Sequence, residues 1–177
     1  MIAYKGFNKK LQCTLGKGVF QYEIGGDYEE PEANCARNGF HSVDEPIRVL
    51  DWYPDGRWCM VDVQDIHEDG TDKIAARKMH IIKELTLRQL IAHEAAWIMK
   101  HPERTCSKRV LREKGKAETN GAVIIRGKNP KGQGKLGSLI MFVKEAEGSC
   151  HVERIVAIEI NGKERKPGVW YGMEDGT

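Results

Sequence analysis

The stretch NGFHSVDEPIRVLDWYP (residues 38–54) decides the fold of the first half of the chain. Gly39 permits a backbone geometry that a Cβ would resist, and Phe40-His41 then predicts the end of a short strand. Pro46 suits the first turn of a helix, where backbone N–H groups have no intrahelical acceptor, and the helix is predicted to run to Tyr53. His41 is therefore expected beside a helix N-terminus, which predicts an anion-binding or acid–base role.

Outward from this stretch, residues 1–102 are predicted to form a β-rich N-terminal domain with one short and one longer helix. Apolar and polar residues alternate over 57–65, which is typical of a half-buried strand. Residues 86–89 read TLRQ, a capping box with threonine as the N-cap and glutamine three positions later. The longer helix is predicted to begin there and to end at His101-Pro102.

The composition changes after Pro102. Residues 103–121 are predicted to be a basic linker, and residues 122–177 a C-terminal all-β unit of antiparallel or roll-like form. Apolar runs separated by Gly, Asn and Lys turns support this assignment, and Asn161-Gly162 is a strong two-residue hairpin signal. The predicted fold class is α+β.

Composition and cysteine spacing restrict the class of protein. Hydrophobic residues make up 40% of the 177 residues and charged residues 31%, as in a globular protein with a modest core. No apolar run approaches the ~20 residues of a membrane span, and no signal peptide is visible, so a cytoplasmic location without membrane partners is expected. The five cysteines are scattered and never form a C-x-x-C pair, which predicts neither a disulfide framework nor a metal site.

Charge is distributed unevenly along the chain. Residues 1–70 carry seven Lys/Arg against thirteen Asp/Glu, whereas residues 104–135 carry ten Lys/Arg against two Glu. The second pattern is typical of a polyanion-binding strip and equally of a solvated connector. The residues predicted to bind a ligand or polyanion are His41, Lys108, Arg109, Arg112, Lys114, Lys116, Arg126, Lys128, Lys131 and Lys135.

Several segments resemble an uncharacterised family that is widespread in phages and prophages. The likeness lies in AYKGFNK (residues 3–9), FQYEIG (20–25), GFH…P (39–46) and a closing KLGS…INGK…WY (135–171). Many members of that family carry pentapeptide-like repeats between these segments, where this chain has only residues 115–134. The resemblance implies a phage or prophage origin and carries no activity.

A second resemblance is to the ADP-ribosyltransferase fold. Tyr4-Lys5-Gly6 and Gly39-Phe40-His41…Trp52-Tyr53 match its outline in order and spacing. This resemblance implies an enzyme that uses NAD through Lys5, His41 and Tyr53. Lys5 stands where His or Arg is usual, and only Glu84 or Glu94 is offered as the catalytic glutamate.

The leading hypothesis is a non-enzymatic binding protein of phage origin that acts in the host cytosol without a cofactor. It would engage a host protein, a nucleic acid or a nucleotide signal, and so inhibit host antiviral defence. The alternatives are the NAD-dependent ADP-ribosyltransferase-like enzyme and a virion-associated structural module.

Overall fold

A computed structural model describes residues 1–15, 18–35, 37–68, 73–104 and 107–176. The chain divides into two compact units, Met1–Thr86 and Leu87–Thr177. Strands dominate both units, and the fold class is α+β, as the sequence predicts. No helix in the described ranges is long and apolar enough to cross a membrane.

The first unit is built on a long hairpin. Its elements are β1 (Ile2–Phe7), β2 (Gln12–Cys13), β3 (Phe20–Gln21), β4 (Asp27–Glu29), β5 (Phe40–Ser42), a 3-10 turn (Pro46–Arg48), α1 (Val49–Trp52), β6 (Arg57–Glu68) and β7 (Ile74–Leu85). Strands β6 and β7 form the hairpin, β1 pairs with β6, and both β4 and β5 pair with β7. The predicted helix up to Tyr53 is thus a 3-10 turn followed by one α-helical turn. Its N-cap is Glu45, and no side chain caps it.

The ends of this sheet meet. Tyr4 of β1 and Val43, which follows β5, exchange two backbone hydrogen bonds of 2.8 and 2.9 Å. The amide and carbonyl of Tyr4 thus point away from β6. In an antiparallel pair alternate residues point their N–H and C=O groups toward the partner strand, so the residues on either side of Tyr4 make the hydrogen bonds to β6. The order β1-β6-β7-β5 therefore closes back on β1, around a core that contains Phe7, Tyr22 and Phe40.

The second unit contains a mixed sheet and one helix. Its elements are α2 (Leu87–Lys100), β8 (Val110–Ala117), β9 (Ala122–Gly134), β10 (Leu139–Glu145), β11 (Val152–Glu159) and a 3-10 turn (Met173–Asp175). The sheet order is β11-β10-β9-β8, and β9 runs parallel to both β8 and β10. The sequence predicts an antiparallel or roll-like unit; β10 and β11 do pair antiparallel, but the two parallel pairs differ from an antiparallel arrangement. Ala122–Ile125 and Leu139–Val143 are buried throughout, which is usual for strands covered on both faces.

The second halves of β8 and β9 fold back over the sheet. The register between them shifts after Arg112, and pairing resumes from Lys114 and Lys131 onward. Gly132 then lies so close to the inner face that an added Cβ would be 2.6 Å from Ile125 and 2.8 Å from Ile140. Backbone bonds of 2.7 and 2.9 Å between Gly132 and Tyr171 add the C-terminal segment to this upper layer. Glycine is used here because only backbone fits between the layers.

The division into units lies before α2. Helix α2 begins at Leu87, directly after the threonine predicted as its N-cap, and packs against β10 and β11. It therefore belongs with the second unit, sixteen residues before the predicted boundary at 102. The segment predicted as a linker, 103–121, contains β8, because exposed lysines alternate there with buried Gly115 and Ala117.

Replacing Gly132 with alanine tests the two-layer packing. We expect Gly132→Ala to lower the free energy of unfolding by about 1–3 kcal/mol, because the methyl group would overpack a closed interior. Gly172→Ala is the matched control, since its Cβ would meet its nearest atoms at 3.7 Å. Urea unfolding of both variants measures the difference, and equal losses would contradict the close approach of the layers.

Candidate functional site

A cavity of about 390 Å³ opens in the first unit, within the usual size range of small-molecule sites. Strand β1 contributes Tyr4, Lys5 and Gly6, and β5 with the residue after it contributes His41, Ser42 and Val43. Helix α1 and its end contribute Val49, Trp52 and Tyr53. The remaining lining residues are Cys13, Leu15, Tyr22, Arg37, Gly39 and Lys73. The cavity thus lies beside the Tyr4–Val43 pair that closes the sheet.

The wall that Tyr53 forms depends on Gly6. A Cβ at Gly6 would be 2.8 Å from the Tyr53 ring, so only glycine lets the ring rest against β1. The indole N–H of Trp58 donates a hydrogen bond of 2.8 Å to the Tyr53 carbonyl, and the Thr14 N–H donates to its hydroxyl at 3.2 Å. The backbone and the side chain of Tyr53 are therefore each held by a hydrogen bond.

Lys5 forms the buried floor of the cavity. Its side chain is only 6% exposed, and its ammonium nitrogen donates a hydrogen bond of 2.5 Å to the His41 carbonyl. The same nitrogen lies 5.7 Å from the centre of the Phe7 ring and 5.9 Å from that of Tyr22. Burial lowers the pKa of Lys5, and the neighbouring Cys13 opposes that shift.

Cys13 and Tyr22 complete this floor. Burial raises the pKa of Tyr22, and the neighbouring Cys13 raises it further through charge and a side-chain hydrogen bond. The tyrosine hydroxyl therefore keeps its proton at neutral pH. Lys5, Cys13 and Tyr22 all line the cavity, and Cys13 affects the pKa of both of the others.

The outer part of the cavity carries cations beside an aromatic surface. The Lys73 ammonium lies 4.1 Å from the centre of the Trp52 ring, and Trp52 is 41% exposed. Arg37 is exposed at the same opening. Burial lowers the pKa of His41, and the charges of Lys5 and Lys73 lower it further. In the described lining of the cavity there is no Asp or Glu.

Comparison with known proteins identifies the family of this chain. A family described as a domain of unknown function, DUF7666, matches residues 1–93, which include the whole first unit and the first half of α2. The chain belongs to the DUF7666 family. No curated protein and no solved structure matches the chain.

The DUF7666 unit brings together three residues named from the sequence. Lys5, His41 and Tyr53, the set implied by the ADP-ribosyltransferase resemblance, all line the one cavity. The two glutamates offered as catalytic do not line it. Glu84 forms a 2.6 Å ion pair with Arg57, whose hydrogen bond lowers the pKa of Glu84, and Glu94 is buried in α2.

Sequence reasoning missed four side chains of the site: Cys13, Tyr22, Arg37 and Lys73. They come from a two-residue strand and from irregular segments, where no periodicity indicates a shared position. One usable signal is the alternation along β1, which puts Lys5 on the same face as the core residues Ala3 and Phe7. A lysine at a core-facing strand position indicates a special environment.

The predicted basic strip is divided by its ion pairs. Arg126 is 1% exposed and pairs with the equally buried Glu145 at 2.6 Å, so it is a core residue and not part of a binding surface. The others in ion pairs are Arg112 with Glu145, Lys128 with Glu147 and Lys135 with Glu118. Arg109 donates to the Ala122 carbonyl at 3.4 Å, and Lys108 is exposed.

Three strip residues share one part of the surface. Lys114 and Lys131 are directly opposite each other in the β8–β9 ladder, and Lys116 lies two residues further along β8. The Lys116 ammonium is 5.9 Å from the centre of the exposed Trp170 ring. The sequence places no aromatic residue within this strip, but the fold brings one beside it.

The Arg126–Glu145 pair generates a stability prediction. Arg126→Met should lower the free energy of unfolding by about 3–5 kcal/mol, because it leaves the buried Glu145 carboxylate with only the exposed Arg112 as a partner. Lys131→Ala, at an exposed site, should change it by less than ~0.5 kcal/mol. Chemical denaturation of both variants provides the comparison. Similar losses in the two would mean that Arg126 is not a structural residue.

The cations around His41 generate a pH prediction. Since its pKa is lower in the folded chain than the usual 6.5, the unfolded chain binds more protons in that range. Stability should therefore fall as the pH drops through about 6.5, and His41→Gln should flatten this part of the profile. NMR titration of the histidine ring protons measures the pKa directly. A His41 pKa at or above the usual value would contradict the cationic environment.

Proposed function

We propose that the first unit binds a nucleotide or a similar anion that carries an aromatic ring. One observation carries the proposal: four basic and four aromatic residues line a single cavity whose described lining has no Asp or Glu. The basic residues are Lys5, Arg37, His41 and Lys73, and the aromatic ones are Tyr4, Tyr22, Trp52 and Tyr53.

The two halves of a nucleotide need these two kinds of side chain. Phosphate oxygens accept charge-assisted hydrogen bonds from Arg and Lys, and Arg can bind them through two parallel bonds. A base can stack on an exposed aromatic ring, and the Lys73–Trp52 contact puts a cation beside such a ring. Residues 1–70 are acidic overall, so a local excess of positive charge in the cavity favours an anionic ligand there over elsewhere on the unit.

The proposal extends to the biological setting. The chain would be a phage or prophage protein that acts in the cytosol of the host, where it would engage a nucleotide signal and so block antiviral defence. This step is supported by the resemblance of residues 3–9, 20–25 and 135–171 to phage proteins. The exposed Lys114, Lys116 and Lys131 beside Trp170 support contact with a host nucleic acid as a further mode of binding.

A second candidate function is the ADP-ribosyltransferase-like enzyme. The observation that favours it is that Lys5, His41 and Tyr53 line one cavity. NAD is itself a dinucleotide with aromatic rings and phosphates, so the same cavity chemistry suits it. Against catalysis stands the lining, in which the described residues offer no carboxylate to activate a nucleophile.

Ligand-dependent thermal stability tests the proposal. ATP or NAD at a hundredfold excess over its Kd should raise the free energy of unfolding of the first unit by about 2.7 kcal/mol. Added salt should reduce the gain, because it screens the phosphate contacts near the surface. Short RNA and DNA are tested in parallel, and stabilisation by these alone would favour the Lys114–Lys131 surface.

Matched variants identify the site. Lys73→Ala and Trp52→Ala should lose most of the stabilisation, whereas Lys83→Ala, an exposed cation of the same unit outside the cavity, should keep it. Stabilisation by NAD alone that disappears in His41→Ala, together with release of nicotinamide, would favour the enzyme. No gain with any nucleotide, or an equal gain in all variants, would refute nucleotide binding in the cavity.

A further inference from the structure

Lys5 is unusual among the lysines because its amine is buried inside a cavity. The side chain lies on the core-facing side of β1 between Ala3 and Phe7. Among the described residues no carboxylate forms an ion pair with it, and its ammonium donates a hydrogen bond to the His41 carbonyl. A charged ammonium in such a place lacks the counter-charge that burial normally demands.

The surroundings also oppose a charge on Lys5. Arg37 and Lys73 line the same cavity, and like charges disfavour the protonated form of an amine. Burial lowers its pKa in the same direction. Desolvation and neighbouring cations are the two conditions that turn a lysine into a nucleophile in known amine chemistry. The Lys5 amine, which lines the cavity, therefore has a larger neutral fraction at a given pH than a surface lysine.

We propose that Lys5 is a nucleophile that captures the carbonyl group of an anionic ligand as an imine. The neutral amine adds to the carbonyl carbon, so that a C–N bond forms and the carbonyl oxygen takes up a proton. Loss of that oxygen as water then leaves the C=N bond. The overall change is amine plus aldehyde or ketone to imine plus water, with no oxidant or reductant.

Cys13 and Tyr22 are positioning residues for this step. Cys13 is close enough to Lys5 and Tyr22 to affect the pKa of both. The Tyr22 hydroxyl retains its proton, since its pKa is raised, and is able to donate a hydrogen bond to the departing oxygen. Both side chains line the cavity with Lys5.

The outer cations define the class of carbonyl compound. Arg37 and Lys73 favour a phosphorylated or carboxylated aldehyde or ketone, and Trp52 favours one with a ring. The inference rests on the proposed function only in using the same cavity and the same cations. It does not require that the ligand be a nucleotide.

Reductive trapping with pyridoxal 5′-phosphate, an aromatic aldehyde with a phosphate group, tests the inference. The full chain is treated with less than one equivalent of the aldehyde at pH 7, reduced with borohydride and mapped by peptide mass spectrometry. Lys5 should be the most heavily labelled lysine. From pH 9 to pH 7 the labelling of surface lysines should fall about 100-fold, because the neutral fraction of their amines falls by that factor. The labelling of Lys5 should fall less, because its pKa is lower.

Control variants separate capture by Lys5 from non-specific labelling of lysines. Lys5→Met should lose the main label, and Lys83→Met should keep it; if Lys5→Met does not fold, the map of the unmodified chain decides. Pyridoxal without phosphate should label Lys5 more weakly. Label spread evenly over exposed lysines, with Lys5 at or below their average, overturns the inference. Nucleotide stabilisation without Lys5 labelling refutes this inference alone, and Lys5 labelling without nucleotide stabilisation refutes the proposed function alone.

Discussion

The exchange of backbone hydrogen bonds between Tyr4 and Val43 is the constraint on which the first unit depends. It joins β5 to β1 at a single residue pair and so closes a sheet that would otherwise end in two open edges. Residues of both β1 and β5 line the cavity. The site therefore lies directly beside the pairing that closes the sheet.

This closure also explains why Lys5 is buried. Strand alternation commits Ala3, Lys5 and Phe7 to one side of β1, and two of these three are core residues. The lysine must then place its ammonium within the unit, where it reaches the His41 carbonyl and the faces of Phe7 and Tyr22. Burial of this amine works against stability. The second unit resolves a similar conflict differently, because buried Arg126 meets a buried carboxylate at 2.6 Å.

Local patterns in the sequence are sufficient to predict a helix or strand when the signal lies within that one element. Alternation predicts β6, the capping box predicts the start of α2 at Leu87, and Gly39-Phe40-His41 predicts β5. Pairing is not predictable in the same way: the parallel β8–β9 and β9–β10 pairs depend on which strands meet. For the same reason the lysine-rich segment 103–121 resembles a linker in sequence, although β8 pairs there with β9.

The candidate site shows the same limit. The three residues taken from the ADP-ribosyltransferase resemblance do meet, but Cys13 and Lys73 are brought to them by chain closure, which leaves no periodic signal. The sequence does show one exception to the rule that core-facing strand positions are apolar, because Lys5 occupies such a position in an otherwise apolar strand. Conflicts between a local rule and the overall fold concentrate at functional sites. A destabilising residue is kept there because the chemistry of the site requires it. A buried cation with a paired carboxylate, such as Arg126, serves the fold, whereas a buried amine that faces a cavity without one is available to a ligand.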